Sequence, residues 1–502
     1  MAPAPRCGRA ASLRDAGLTT TPRGELPNSQ WHDWTGAFSA AVRTRGMQSL
    51  FASWQRAEAT DAGIGGGSAI AATATATYKR ATRERFALEY AVPNVARVLP
   101  LVTLRAAHQE IAREVEILQS PTVTVTPHAT HRTVSAQLEG KLAPAPDHVL
   151  TVGVEAWRRA LDSRRERRLK AQNRVIGERP VPAATHLSTG VYAQDDWEPV
   201  HDRVRVTLGT RADVSRTHAD RTLQPEYVLV GGVPQVPVPG QFVMWEASSV
   251  HDASWDGTAG LHVQCTPALG ARVLVASAYR TPSLEERYQY LDLGSTLRVG
   301  NPSLAPERGL TTNVGARWSA GGTTLDADVF FHSLADLVGE VPGTFEGRAA
   351  WVKTNIGRAR LYGGECSLEQ KLGARLLATA SLAQVRGEDL RAHTELGQVP
   401  PLTGRVALDA DARRAGAWRV ECVATHAQRH PGPGEAATAG WTAWNASWAS
   451  APLRAHGAVA RLRCGVDNAF DRDYRLHLST LRGVIRSEPG RNVHAALTVE
   501  LP

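Results

Sequence analysis

Residues 271–307 read ARVLVASAYRTPSLEERYQYLDLGSTLRVGNPSLAPE. The first ten alternate like a strand, with Val273, Val275 and Ser277 on one face and Leu274, Ala276 and Ala278 on the other. The pattern breaks at Thr281-Pro282 and gives way to a long polar segment ending in Gly300-Asn301-Pro302-Ser303-Leu304-Ala305-Pro306-Glu307. Pro302 and Pro306 have no backbone donor, so neither suits a central strand. A strand, a long loop and another strand is the expectation for a large antiparallel barrel with its long loops on one rim.

The rest of the chain repeats this rhythm. Val204, Val206 and Leu208 alternate with Arg205, Thr207 and Gly209; Leu325, Ala327, Val329 and Phe331 alternate with Asp326 and Asp328; Leu462, Cys464 and Val466 alternate with Arg463 and Gly465. Alternation alone fits a soluble sandwich as well as a barrel. Connection lengths discriminate. Short turns recur at residues 43–46, 92–96, 143–148, 198–202, 267–271, 320–323, 372–375, 411–416 and 451–457. Between them lie longer polar stretches at 160–185, 215–256, 282–307, 332–351, 387–398 and 428–440. Short turns on one rim and long loops on the other are the asymmetry of outer-membrane barrels. The reading is all-β: a transmembrane antiparallel β-barrel of about 19 strands from Trp34 to Leu501.

Composition narrows the function. No run of 18 apolar residues exists, so there is no transmembrane helix, which leaves a barrel untouched. The net charge of +8 is mostly arginine and is spread along the chain, unlike a nucleic-acid footprint. The five cysteines (Cys7, Cys265, Cys366, Cys422, Cys464) have no metal-site spacing and read as small apolar strand residues. No phosphate loop and no catalytic constellation stands out, so no enzyme is expected. Asp195 and Asp196 are strand neighbours and point to opposite faces. His128 with His131 and His426 with His430 read as solvated loop residues, and no metal site or cofactor is assigned.

Several ordered motifs resemble those of TonB-dependent outer-membrane receptors. Tyr279 to Glu286 is similar to that family's FRAPSLEE segment and Gly300 to Glu307 to its GNPxLxPE segment. Val191-Tyr192-Ala193-Gln194-Asp195-Asp196-Trp197, Asn355 to Glu365, Pro400-Pro401 with Arg405, and Val466 to Tyr474 resemble four further family strands and turns. Tyr192, Trp197 and Tyr474 are expected in the aromatic girdles.

The resemblance implies an outer-membrane receptor of a Gram-negative bacterium. It implies TonB-powered uptake of a ferric siderophore or related metal complex. The alternative is a plug-less passive, porin-like barrel or a nonfunctional remnant. The resemblance also makes Arg280, Glu285, Glu286 and Arg287 candidate ligand contacts. The basic run Arg158, Arg159, Arg164, Arg165, Arg167, Arg168 and Lys170 is placed in an outer loop, with Arg164 and Arg165 as candidates for lipopolysaccharide phosphates or an anionic chelate. Family haem receptors carry a histidine between the two opening motifs. None lies between Tyr279 and Glu307, which points away from haem. Expected partners are the TonB complex, outer-membrane lipid, lipopolysaccharide and a small metal chelate, with no nucleic acid and a monomeric state.

The family's barrel has 22 strands, the first running up and the last down. In this chain Trp34–Val42 and Val493–Leu501 both read as down strands, which cannot close an antiparallel barrel. The expectation is N-terminal truncation: about three strands, the plug domain and its coupling box absent, with poor closure between those two strands. Residues 1–30 lack an apolar leader core and are expected to be irregular, followed by a barrel domain over 31–502. The chain ends Glu500-Leu501-Pro502, where the family usually ends on an aromatic residue.

Overall fold

The computed structural model describes residues 6–44, 46–64, 74–293, 296–455, 457–482 and 487–500. One 25-stranded sheet dominates it. Five of its members are short ribbons at 174–178, 227–230, 233–234, 394–395 and 453–455. The other twenty form a continuous antiparallel wall in chain order. They are β1 (Arg6–Ala16), β2 (Trp31–Arg43), β3 (Ser49–Ile64), β4 (Thr75–Ala96), β5 (Leu99–Ser120), β6 (Val123–Leu142) and β7 (His148–Leu169). Next come β8 (Ala184–Val200), β9 (Val204–Ala219), β10 (Ser248–Thr266), β11 (Leu269–Arg280), β12 (Glu307–Ala320), β13 (Thr323–Ala335) and β14 (Ala359–Leu372). The last six are β15 (Leu376–Asp389), β16 (Thr403–Asp411), β17 (Ala417–Thr425), β18 (Trp441–Ala449), β19 (Ala458–Asp467) and β20 (Asn492–Glu500). Each strand pairs with the next.

The register assigns the two faces. Across β11 to β14, Val273 sits opposite Val314, Val314 opposite Val329 and Val329 opposite Gly364. Val314 and Val329 are 46% and 60% exposed, so this apolar row faces outward. The same row continues through Leu382, Val406, Val420, Trp444, Leu462 and Leu497, and returns through Phe38, Phe86, Leu104, Leu138, Val154, Val191 and Leu208. A wall that turns an apolar row outward from β2 to β20 has the alternation of a lipid-facing barrel. About four alternating apolar positions per strand give a belt roughly 25 Å tall. Inward positions are polar, as in Arg272, which bridges Asp326 and Asp328 on β13. Between β12 and β13 the turn residues Gly321 and Gly322 both adopt positive φ, +60° and +83°, the geometry that tight hairpins demand.

Several expectations are corrected. Residues 6–30 are not irregular: Arg6–Ala16 is a wall strand, and 19–21 pairs with 24–26 as a hairpin, while 1–5 lie outside the described residues. β1 pairs along the whole of β2, so Trp34–Val42 is the second wall strand. From Trp31 to Glu500 the wall has nineteen strands, as expected; β1 adds a twentieth that runs up where β20 runs down, so parity permits closure. Among the described residues no ladder joins β20 to β1, and all nine residues of β20 are exposed. Leu501 and Pro502 lie outside the described residues. The two edges are tied at the long-loop rim instead, where Arg23 meets Asp473 at 2.7 Å and Gly490 N–H donates to Thr20 O at 3.0 Å.

The stretch 160–185 is not a plain loop. β4 to β7 run for 22, 22, 20 and 22 residues, twice what a bilayer needs, so this fifth of the wall stands well above the belt. Of the girdle aromatics, Trp197 is on the outer face. Tyr192 points into the lumen, donating to Glu139 at 2.9 Å, and Tyr474 stacks on Trp441 at 4.2 Å in a long connection.

Candidate functional site

The connection from β11 to β12 folds into the long-loop end of the wall. Its first element is a single helical turn, α1 (Leu284–Tyr288). Ser283 starts it with a capping box: its hydroxyl accepts from Glu286 N–H at 3.1 Å while the Glu286 carboxylate accepts from Ser283 N–H at 2.8 Å. Leu284 and Tyr288 bury 98% or more of their surface against Leu161, Val181, Ala184 and Ala219. That apolar contact holds α1 against the inner face of β7, β8 and β9.

Polar latches then lock the loop. Arg280, the last residue of β11, donates to Glu307 at 2.5 and 2.6 Å and to Glu286 at 2.8 and 3.1 Å. Burial alone would raise the Glu286 carboxyl, but the Arg280 and Ser283 hydrogen bonds outweigh it and hold the group below its ordinary value. Arg287 is fully buried, gripping Asp252 at 2.9 and 3.1 Å and Pro302 O at 2.7 Å. Glu285 receives Arg159 at 2.6 Å, and Arg159 also contacts His131 Nδ1.

The second motif is the other half of the latch. A Cβ on Gly300 would come within 2.7 Å of the Arg287 and Tyr288 backbone, so only glycine fits that approach. Asn301 Oδ1 accepts from Ser303 N–H at 3.0 Å, an Asx turn that shapes the loop before Pro306. Asn355 pins Ala305 through both backbone groups, and Glu307 also accepts from Val338 N–H at 2.8 Å.

Beneath α1 lies a cavity of about 550 Å³, lined by Trp157, Arg159, His186, Ser188 and Asp213 among others, with Asp252, Ser254 and Asp256 from β10. It opens between the wall and the tucked loop. A larger depression bounded by Leu382, Gly404, Ala424 and Trp444 belongs to the outward apolar face and is not a solute site.

The candidate residues therefore separate. Arg280, Glu285, Glu286 and Arg287 are brought together, each through an ion pair. Arg287 is sealed from solvent, so it is not a free loop contact but a structural tie. The arginines of the basic run lie on β7 and split by strand alternation, and Lys170 follows in a short helical turn. Arg159, Arg165 and Arg167 face inward; Arg158, Arg164 and Arg168 face outward. Arg165 is 6% exposed and binds Glu178 at 2.5 Å, so it too is a tie rather than an outer-loop contact. Arg164 is exposed, with Asp162 at 3.7 Å. Near them Tyr227 donates to Glu166 at 2.6 Å, and burial with that carboxylate pushes the phenol up to about 12. Sequence reasoning missed Asp252, Ser254 and Asp256. Their alternation on β10 with His251, Ala253 and Trp255 was available as a signal of a polar inner face.

The family profile for TonB dependent receptor-like, beta-barrel proteins matches residues 10–469. No match is found among curated proteins. Solved structures share the fold. The copper transporter OprC superposes with a TM-score of 0.79 at 17% identity, covering 98% of this chain and 75% of that one. A double mutant of the Serratia marcescens hemophore receptor HasR, in complex with its hemophore and heme, gives 0.72 at 15% identity, with 98% and 75% covered. The ferric yersiniabactin uptake receptor FyuA from Yersinia pestis gives 0.69 at 14% identity, with 97% and 74% covered. A match over most of the chain, together with a twenty-strand wall and a latched loop built from both opening motifs, places this chain in the TonB-dependent receptor-like β-barrel family.

Proposed function

We propose that the chain is the barrel wall of an outer-membrane receptor of a Gram-negative bacterium that imports a small metal complex, a ferric siderophore in the first instance, using energy delivered by TonB. The observation that carries this is the β11–β12 connection, folded inward over a cavity instead of standing out in solvent. The connection is tied to the wall by ion pairs from Arg159, Arg280 and Arg287, which fixes it over the cavity. The neighbouring folds named for copper transport and ferric yersiniabactin uptake support a metal-complex ligand. Outward Arg158, Arg164 and Arg168, above the apolar belt on β7, are suited to lipopolysaccharide phosphates.

The test is binding of iron-55-labelled chelates to the protein folded in detergent, beside conductance in planar bilayers. Saturable chelate binding that unlabelled chelate competes away supports the receptor reading. Steady ion conductance with no chelate binding favours a passive barrel and overturns it.

A further inference from the structure

The cavity under α1 has an uneven distribution of charge. Arg159, Arg211 and Arg280 line it, and Arg287 grips its lining residue Asp252. None of the four is available to an incoming anion. Arg159 is held by Glu285, Arg211 by Asp213 and Glu155, Arg280 by Glu286 and Glu307, and Arg287 by Asp252. Those are six carboxylates around four guanidiniums. Asp256, which also lines the cavity, is a seventh, and its carboxylate has no ion-pair or hydrogen-bond partner among the described residues. Arg308, whose charge also reaches Asp256, makes five guanidiniums against seven carboxylates, so the surroundings remain net negative.

Two hydroxyls point to a ligand at the same place. Ser188 lines the cavity, is 7% exposed and has no hydrogen-bond partner among the described residues. Ser254 Oγ is buried and unpartnered. Buried hydroxyls are ordinarily satisfied, so the orphaned Ser254 Oγ, with the Ser188 hydroxyl facing the same cavity, indicates that something else completes the site. The Trp157 ring, also in the lining, packs on the His186 ring at 4.8 Å and adds aromatic surface to the cavity wall.

We infer that this cavity receives the ammonium-bearing arm of a cationic ligand, with Asp256 as counterion and Ser188 and Ser254 as hydrogen-bond acceptors, so that the protein selects cationic metal chelates over anionic ones. The inference rests on the receptor reading and reverses the attraction for anions that a chain rich in arginine suggests.

The experiment uses one ferric trihydroxamate in three forms: with a free terminal ammonium, N-acetylated and neutral, and N-succinylated and anionic. Binding to the detergent-folded full chain is measured at low and high salt, with spermidine as a metal-free amine probe. The ammonium form should bind about tenfold more tightly than the anionic form, with the preference shrinking in high salt. Asp256→Asn should abolish the preference while the far-UV spectrum stays unchanged, and Asp467→Asn, at a distance from the cavity, should keep it. Equal or tighter binding of the anionic form, or an order of affinities that survives Asp256→Asn, overturns the inference. If spermidine binds in an Asp256-dependent way but no chelate does, the cavity assignment stands and the metal-complex reading falls. If nothing binds, both fall.

Discussion

Arg280 joins Glu286 to Glu307, so one guanidinium at the end of β11 holds both the first turn of the loop and the start of the returning strand. The bond geometry is forked on both carboxylates, the arrangement in which an arginine is worth most. Arg280 is 47% exposed, so solvent screens the pair and its contribution is about 1 kcal/mol. Arg280→Gln should leave the barrel intact and raise protease cleavage within residues 281–306 about fivefold, as that free energy implies. An unchanged cleavage rate would show that the apolar seat of Leu284 and Tyr288 alone fixes the loop.

Gly300 makes a sharper test because its constraint is steric. A methyl group there meets backbone at 2.7 Å, which cannot rotate away as a side chain could. Gly300→Ala should cost the loop about 1–3 kcal/mol, the range for overpacking a tight site. Loss of protection for the Gly300 and Asn301 amides in hydrogen exchange, with the wall amides unaffected, is the expected readout, since both donate across the loop to Gln289 O and Glu286 O.

How much of this was legible depended on the period of the pattern. Where one strand face is lipid and the other lumen, as in Leu325 to Phe331, alternation marks the strand and its faces together. β1 carries Arg9 and Arg14 on opposite faces, so it shows no clean alternation, and it is a strand because β2 offers it a full edge. Above the belt both faces of β7 meet water or the loop, so Arg158 to Arg168 read as a charged loop although they continue the ladder to β6, with β8 pairing as far as Leu161 and the ribbon at 174–178 beyond it. The two loop motifs announced the family but not their use. Only the folded chain shows that Gly300 yields to the Arg287 backbone and that Glu307 receives Arg280.

Arg287 and Asp252 offer a buried pair to break. Both are almost sealed from solvent, at 0% and 7% exposure. Removing one charge leaves the other unpaired, at a cost of about 3–5 kcal/mol. Arg287→Met should therefore release α1, and Trp245, which meets Tyr288 edge-on at 5.9 Å, should report it as a shift in fluorescence. The double variant Arg287→Met with Asp252→Leu should restore most of the wild-type spectrum. If the double variant is as loose as the single one, the pair is not what seats the helix.

The latch should also respond to acid. Glu286 is held below its ordinary value of 4.5, so it binds fewer protons folded than unfolded. Stability from such a group is fully present above pH 4.5 and is lost as the pH falls through the depressed folded value. Loop opening, followed by a fluorophore on Ser303→Cys in a background with the five native cysteines replaced, should increase severalfold below pH 4.5 and should not vary with pH in Glu286→Gln, which stays at the acid level throughout. Opening centred near neutral pH would assign the transition to a histidine and not to this carboxylate.

Arg9 gives the last prediction. It lies opposite Phe38 on the outward face of β1, and Phe38 is the middle of the apolar run Trp34, Gly36, Phe38, Ala40 and Val42 on β2. An arginine facing lipid at that depth costs about 2–4 kcal/mol at the midplane. β1 is also the strand whose far edge carries no ladder to β20 among the described residues, so water reaching that edge would lower the cost. Arg9→Leu discriminates between these environments. Against lipid, the substitution should raise the stability of the vesicle-embedded protein by about 2–4 kcal/mol in urea titrations. A gain under 0.5 kcal/mol, on the order of an ordinary exposed site, would mean that the edge of β1 is wet or covered, and that the unpaired join with β20 is where this barrel admits something other than lipid.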